Sequence, residues 1–120
     1  MRLLLVEDDP KVGAFLEEGL VLEGFKLDWA HDGEQAIELV GETAYDLILL
    51  DFMLPKQNGL EVAAHIRSQG NQTPILMLTA RDSAEDIRRI TAAGVNGCMG
   101  KPFKLDDLLD RIHSVVRQTP

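Results

Sequence analysis

Three runs in this chain are apolar at every position: Leu3-Leu4-Leu5-Val6, Leu47-Ile48-Leu49-Leu50, and Ile75-Leu76-Met77-Leu78 opened by Pro74. A strand with one wet face alternates polar and apolar residues, whereas a strand covered on both faces does not. Runs of this kind, separated by stretches with helical periodicity, predict a parallel sheet sandwiched between helices. Each run ends in polar residues. Leu3–Val6 leads into Glu7-Asp8-Asp9-Pro10, Leu47–Leu50 into Asp51, and Pro74–Leu78 into Thr79-Ala80.

The segments between the runs complete the pattern. Pro10 suits a first helical turn with Asp9 or Asp8 as its cap. Val12, Phe15, Leu16, Gly19 and Leu20 then supply one face, up to a stop at Gly24. Lys26–Ala30 is a mixed strand suited to a sheet edge, and Asp32-Gly33 is expected to turn. Ala36, Ile37 and Val40 mark a short helix ending near Gly41. Gly59 to about Ser68 reads as helix, with Leu60, Ala63, Ala64 and Ile66 inward. Asp82 or Ser83 is expected to cap a helix to about Ala93, anchored by Ile87 and Ile90. Asn96–Gly100 is a poor strand with two glycines, ending on Lys101-Pro102. Leu105, Leu108, Leu109, Ile112, Val115 and Val116 form the last amphipathic helix. Five strand–helix units with the most apolar strands central predict an α/β fold. It is a single doubly wound (βα)5 domain whose parallel sheet has the flavodoxin-like order 2-1-3-4-5.

At 120 residues the chain suits one domain, expected over 1–117, with 118–120 as a tail or linker start. Its net charge of −8 argues against nucleic acid bound by this chain itself, since phosphate backbones need a basic face. No apolar stretch approaches the roughly 20 residues of a membrane span. One cysteine, Cys98, allows no internal disulfide and fits a reducing cytoplasm, which is the expected location. His31, His65 and His113 show no ligand spacing and are expected to be structural or solvated. Trp29 is expected to be a partly buried core residue.

In an open parallel sheet, sites form at the carboxyl ends of strands where the winding reverses, here between strands one and three. Glu7, Asp8 and Asp51 would meet there, with Thr79 and Lys101 on the neighbouring strand ends. Alone, each has an ordinary explanation: helix-cap acids, a turn threonine, a solvated lysine. Together they form a cluster. Three close carboxylates repel one another until a proton or a cation joins them. An oxygen-only ligand set favours a hard cation, with Mg²⁺ first. The cation and the Lys101 ammonium would balance three negative charges, leaving room for an incoming phosphoryl group. A carboxylate at the centre could accept that group as an aspartyl phosphate.

These residues resemble response-regulator receiver domains of two-component signalling over nearly the whole chain, Met1 to about Arg117. The resemblance is carried by Leu4–Asp9, by Leu49–Gly59, by Leu78-Thr79-Ala80-Arg81 and by Lys101-Pro102-Phe103. It implies that Asp51 is the phosphoacceptor, taking its group from a sensor histidine kinase. It implies Mg²⁺ held by Asp8, Asp51 and the Met53 backbone carbonyl, with Glu7 acting mostly through water. Lys101, pointed into the site by a cis Lys101–Pro102 bond, would pair with phosphoryl oxygens, and Thr79 would swing inward to them. Met53 and Arg81 resemble the winged-helix transcriptional class, in which DNA is bound by a C-terminal domain beyond a segment like this one. A homodimer through helix four, strand five and helix five is implied as well. Against that stand Asn96 and Gly97, where an acidic pair is usual, and Ile87, where a basic residue is common. Cys98 stands where the family's switch aromatic is usual.

Other classes fit less well. An aspartyl-phosphate hydrolase would need a second acid at Met53. A flavin carrier would need a hydroxyl- and glycine-rich loop where Glu7-Asp8-Asp9 stands. A receiver that is never phosphorylated, acting only as a binding surface, would not need the intact acceptor set.

Overall fold

A computed structural model describes residues 1–81 and 83–118. Its elements alternate strictly: β1 (Arg2–Val6), α1 (Pro10–Leu22), β2 (Lys26–Ala30), α2 (Gly33–Glu42), β3 (Leu47–Asp51), α3 (Gly59–Ser68), β4 (Ile75–Thr79), α4 (Ala84–Ala92), β5 (Gly97–Gly100) and α5 (Leu105–Gln118). All neighbouring strands are parallel, in the order β2-β1-β3-β4-β5. The three wholly apolar runs are the central strands, and the two weaker ones are the edges.

The pleat explains why the central runs contain no polar residue. Leu3, Leu5, Leu47, Leu49, Leu76 and Leu78 face one way, onto Leu16 and Leu20 of α1 and Leu108, Ile112 and Val115 of α5. Leu4, Val6, Ile48, Leu50, Ile75 and Met77 face the other way, onto Ala36, Val62, Ala63, Ile66 and Ile90. Successive residues of one strand thus serve two separate cores.

Local chemistry sets the helix starts. The Asp9 carboxylate accepts the N–H groups of Lys11 and Val12, with Pro10 as the first helical residue. Asp32 caps α2 by accepting from the Gln35 N–H, so Gly33 is helical rather than half of a free turn. That helix also runs through Gly41, the expected stop, to Glu42. Asn58 and Glu61 form a reciprocal capping box on α3. Ser83 caps α4, while Asp82, the other candidate, lies outside the described residues. α5 extends through Gln118, and the rest of the expected tail, 119 and 120, lies outside the described residues.

Three expected inward positions face solvent. Phe15 is 53% exposed and Ile87 43% exposed, and Ala64 is exposed too, while Val62 takes the inward place on α3. Cys98 is half-buried on β5. Asn96 is turned into the protein, its Oδ1 accepting from the Ile75 N–H at 2.8 Å and from Arg67 Nη2 at 2.9 Å. Arg67 also donates to the carbonyls of Gly94 and Asn71 and so ties α3 to the α4–β5 connection. Burial lowers the pKa of this guanidinium. Toward the opposite edge of the sheet from the strand ends, the Tyr45 hydroxyl donates to Asp28 Oδ2 at 2.7 Å, and Arg2 Nη2 donates to the same oxygen at 2.9 Å.

Candidate functional site

The parallel register brings the acids together. Val6 pairs with Leu50, so the next step up the ladder sets Glu7 beside Asp51. Both carboxylates are nearly sealed from solvent, at 1% and 5% exposure, while Asp8 is exposed at the rim. One oxygen from each of Glu7, Asp8 and Asp51 lies within 4.8 Å of the others. Lys101 reaches this cluster directly after the end of β5 and is followed by a cis Lys101–Pro102 bond. Its Nζ donates to Asp51 Oδ1 at 2.9 Å and to Glu7 Oε1 at 3.4 Å. A Lys101 N–H bond to the Thr79 carbonyl at 2.9 Å anchors its backbone.

Glu7 is held at four points. Lys101 takes Oε1, the Asp9 N–H donates to Oε2 at 3.2 Å, the Trp29 indole N–H donates to the Glu7 carbonyl at 2.8 Å, and the Glu7 N–H donates to the Ala30 carbonyl at 3.0 Å. Burial pushes the Glu7 carboxyl up to about 7, helped by its hydrogen-bonding contact with the Asp51 carboxylate and by that group's charge. The Asp9 N–H and Lys101 only partly offset this. For Lys101, burial works against the charged form, but hydrogen bonds and charges from Asp51 and Glu7 outweigh it, and its pKa is raised.

Thr79 sits at the same edge, one residue past Leu78, the ladder partner of Asp51. The pleat puts it with Ile75 and Met77, on the opposite face from Leu78. Its hydroxyl accepts the Arg81 N–H at 2.8 Å. The structure therefore joins Glu7, Asp8, Asp51 and Lys101 directly and leaves Thr79 adjacent, engaged with the next loop. The Met53 N–H donates to Asp51 Oδ1 at 3.4 Å, and its side chain is 65% exposed. Arg81 lies over the Phe52 ring, 5.4 Å from its centroid.

Chemically, the donor set is all oxygen and anionic, with one ammonium beside it. Three carboxylate oxygens at this spacing suit a hard divalent cation, whose oxygen ligands lie at roughly 2.0–2.6 Å. The buried Asp51 oxygens and the Lys101 charge suit attack on, and retention of, a phosphoryl group.

Two contributors escaped sequence reasoning. Trp29 is partly buried as expected, yet its N–H role on Glu7 depends on a pairing 22 residues apart in sequence. Gly59 carries a signal only in three dimensions. A Cβ built there would stand 2.5 Å from the Asp51 carbonyl oxygen and 3.0 Å from the Phe52 Cα.

A family model described as the response regulator receiver domain matches residues 3–113. The response regulator MprA of Mycobacterium avium (strain 104) is 40% identical over 119 residues, covering 99% of this chain and 52% of MprA. The transcriptional regulatory protein YkoG of Bacillus subtilis (strain 168) is 40% identical over 117 residues, 98% of this chain and 51% of YkoG. The chain thus spans about half the length of the curated relatives it matches. Among solved structures, the receiver domain of the sensor histidine kinase PA1611 of Pseudomonas aeruginosa PAO1 superposes with a TM-score of 0.88 and 33% identity. That alignment covers 97% of each chain, and the PA1611 domain carries a magnesium ion coordinated in its active site cleft.

Proposed function

The chain belongs to the response regulator receiver domain family of two-component signalling, and from that premise we propose that Asp51 is its phosphoacceptor. The observation that carries this is the Lys101–Asp51 contact at 2.9 Å inside a buried three-carboxylate cluster at the strand ends. One Asp51 carboxylate oxygen attacks phosphorus on a phosphohistidine of a sensor kinase. The new O–P bond forms as the N–P bond breaks, and the imidazole departs with the bonding pair. Lys101 then stays against the phosphoryl oxygens instead of the lost carboxylate charge. Mg²⁺ fits the donor set; Asp8, Asp51 and the Met53 carbonyl would hold it directly and Glu7 through water, and it would neutralise developing charge on the phosphoryl group.

The switch follows from Thr79. To reach a phosphoryl group its hydroxyl has to leave the Arg81 N–H, which draws the loop after β4 with it. That is a two-state element biased by a local charge. The domain in this reading is a switch rather than a phosphatase, because Met53 offers no acid at the position a hydrolase would need. The output we assign is transcriptional, through DNA contacts made elsewhere in the protein, and the site of action is the cytoplasm. No helix among the described residues is long and apolar enough to cross a membrane. We assign any pairing of two phosphorylated copies to α4, β5 and α5, a reading supported by the exposed Ile87. Asn96 serves internal hydrogen bonds rather than such a contact.

The test is incubation with a small phosphodonor and Mg²⁺, with the modified residue mapped by mass spectrometry. Incorporation on Asp51 is expected. Incorporation only at another residue, or none with donor and Mg²⁺ in excess, would sink the assignment.

The site also predicts a pH dependence. A cation and a proton compete for Glu7, whose folded pKa of about 7 lies above its ordinary 4.5. Divalent cation affinity should be constant above that value and fall as pH drops through it, by up to about tenfold per pH unit. In the cation-free protein the sign is opposite for stability. The stabilisation from protonated Glu7 is fully present below 4.5 and lost as pH rises through 7. Calorimetric Mg²⁺ titrations across this range, with thermal melts in chelator, check both signs; a cation affinity that stays flat from pH 8 to about pH 5.5 contradicts the competition.

A further inference from the structure

Trp29 is the one tryptophan of the chain and lies on β2, outside the acid cluster. Two contacts of its own, carried further by a backbone bond of Gly13, nevertheless link it to the acidic turn. Its indole N–H donates to the carbonyl of Glu7 at 2.8 Å, at the point where β1 becomes the acidic turn. Its ring fills the space beside residue 13, so that a Cβ there would lie 1.9 Å from a ring carbon, and only glycine leaves room. Gly13 in turn bonds back to the Asp9 carbonyl at 2.9 Å, in the first turn of α1. Glu7, Asp8 and Asp9 therefore span a gap whose two ends both rest on one indole. The Glu7 end is held by its N–H and the α1 end by its ring face. His31 also packs on the indole, 4.5 Å from it centroid to centroid.

We infer that Trp29 is a positioning residue for the acidic turn, setting where Glu7 and Asp8 stand relative to Asp51 and so how tightly the cluster holds a divalent cation. This rests on the assignment of Glu7, Asp8 and Asp51 as the cation and phosphoryl site. The physical basis is that outer partners of liganding groups fix their orientation, and losing one weakens a metal site while the ligands remain. The Ala30 carbonyl holds the N–H side of Glu7 at 3.0 Å, the indole holds its carbonyl side where the chain leaves the ladder, and the carboxylates on the turn move with the backbone that carries them. Because the same ring lies on α1, occupancy of the cluster is also felt at the first turn of that helix.

The experiment measures Mn²⁺ affinity by electron paramagnetic resonance of the free ion, for the parent, Trp29→Phe and Tyr45→Phe. Phenylalanine keeps an aromatic ring at 29 and removes the donor. Tyr45→Phe removes a hydrogen bond to Asp28 toward the far edge of the sheet and serves as the control for general loosening. Trp29→Phe should weaken Mn²⁺ by about tenfold, the lower end of the range for an outer-partner loss. Tyr45→Phe should stay within about twofold, even though it lowers the melting temperature through the same kind of lost bond. In the parent, the Trp29 indole N–H resonance should shift as Mg²⁺ is added and stop shifting at saturation. Equal Mn²⁺ affinity in Trp29→Phe and parent, equal weakening in both variants, or an indole resonance indifferent to Mg²⁺ would each overturn the inference while leaving the site intact. A parent that bound no Mn²⁺ would overturn the site assignment and this inference with it.

Discussion

An Asp51→Asn variant is expected to fold as the parent does and to gain no phosphoryl group from a small donor in Mg²⁺. The amide is nearly the same size as the carboxylate and fits the same sealed position beside Phe52 and Leu78. It has no anionic oxygen to attack phosphorus. Losing a nucleophile costs at least about a thousandfold in rate when no neighbour can replace it. The neighbours here are poor replacements. Glu7 is pinned by the Asp9 N–H and Lys101, and Asp8 stands at the rim. The variant should not be less stable than the parent at neutral pH. Removing one of three crowded carboxylates relieves repulsion, and Lys101 keeps Glu7 as a partner at 3.4 Å. A melt and a mass measurement on the same sample separate the two effects. A folded Asp51→Asn protein that still takes up the parent's amount of phosphoryl group would refute the role of Asp51.

The second large effect is expected at Gly59, a residue with no chemistry of its own. It opens α3, and its N–H donates to the Phe52 carbonyl at 2.8 Å. The added methyl of Gly59→Ala would meet the Asp51 carbonyl oxygen at 2.5 Å and the Phe52 Cα at 3.0 Å. Both are backbone atoms, which cannot swing aside as a side chain can. Either α3 backs away from the sheet or the end of β3 shifts, and the second choice moves the acceptor itself. The expected cost is about 1–3 kcal/mol of stability, in the range of overpacked cores. Mg²⁺ affinity and phosphoryl uptake should fall along with it. Gly41→Ala supplies the contrast. That glycine is within α2 with nothing within 4 Å of its missing Cβ. Alanine there should stabilise by about 0.5–1 kcal/mol and leave the site untouched. Chemical denaturation of the two variants measures the difference in sign. Equal stability of Gly59→Ala and the parent would show that α3 can yield after all.

Much of this architecture could be read from the sequence because the sheet imposes a severe rule. A strand covered on both faces tolerates no polar residue until it emerges, so Leu3–Val6, Leu47–Leu50 and Ile75–Leu78 announce both themselves and their ends. The ends carry Glu7, Asp51 and Thr79, and parallel winding puts all ends on one edge. What escaped has physical reasons. Helical periodicity identifies an apolar stripe but not which flank of a broad stripe meets the sheet, hence the exposed Phe15, Ile87 and Ala64. Asn96 looked like a surface position deprived of its usual charge, whereas it closes a hydrogen-bond network with Arg67 and the β4 backbone. Thr79 ends β4 within the strand-end set, on the face opposite Leu78, and its hydroxyl accepts the Arg81 N–H, a bond no sequence pattern signals. The work of Trp29 and Gly59 depends on close approaches between elements distant in sequence, which no local pattern encodes.

The caps of α1 and α3 have an electrical consequence. In a parallel sheet with this winding, every helix begins beside the strand ends, so α1 starts at Pro10 directly after the acidic turn, and α3 starts where Gly59 touches the end of β3. A helix presents roughly half a positive charge at its N-terminus. The far field of a chain carrying −8 repels an anionic donor. Close in, the dipole ends of two helices and the Lys101 ammonium offset part of the charge of the three carboxylates, and a divalent cation on Asp8 and Asp51 would reverse the sign over a few ångströms. The domain can thus present a repulsive surface to stray polyanions while offering an attractive one to a phosphoryl group delivered to the mouth of the site. Selectivity by distance of approach comes with the fold itself.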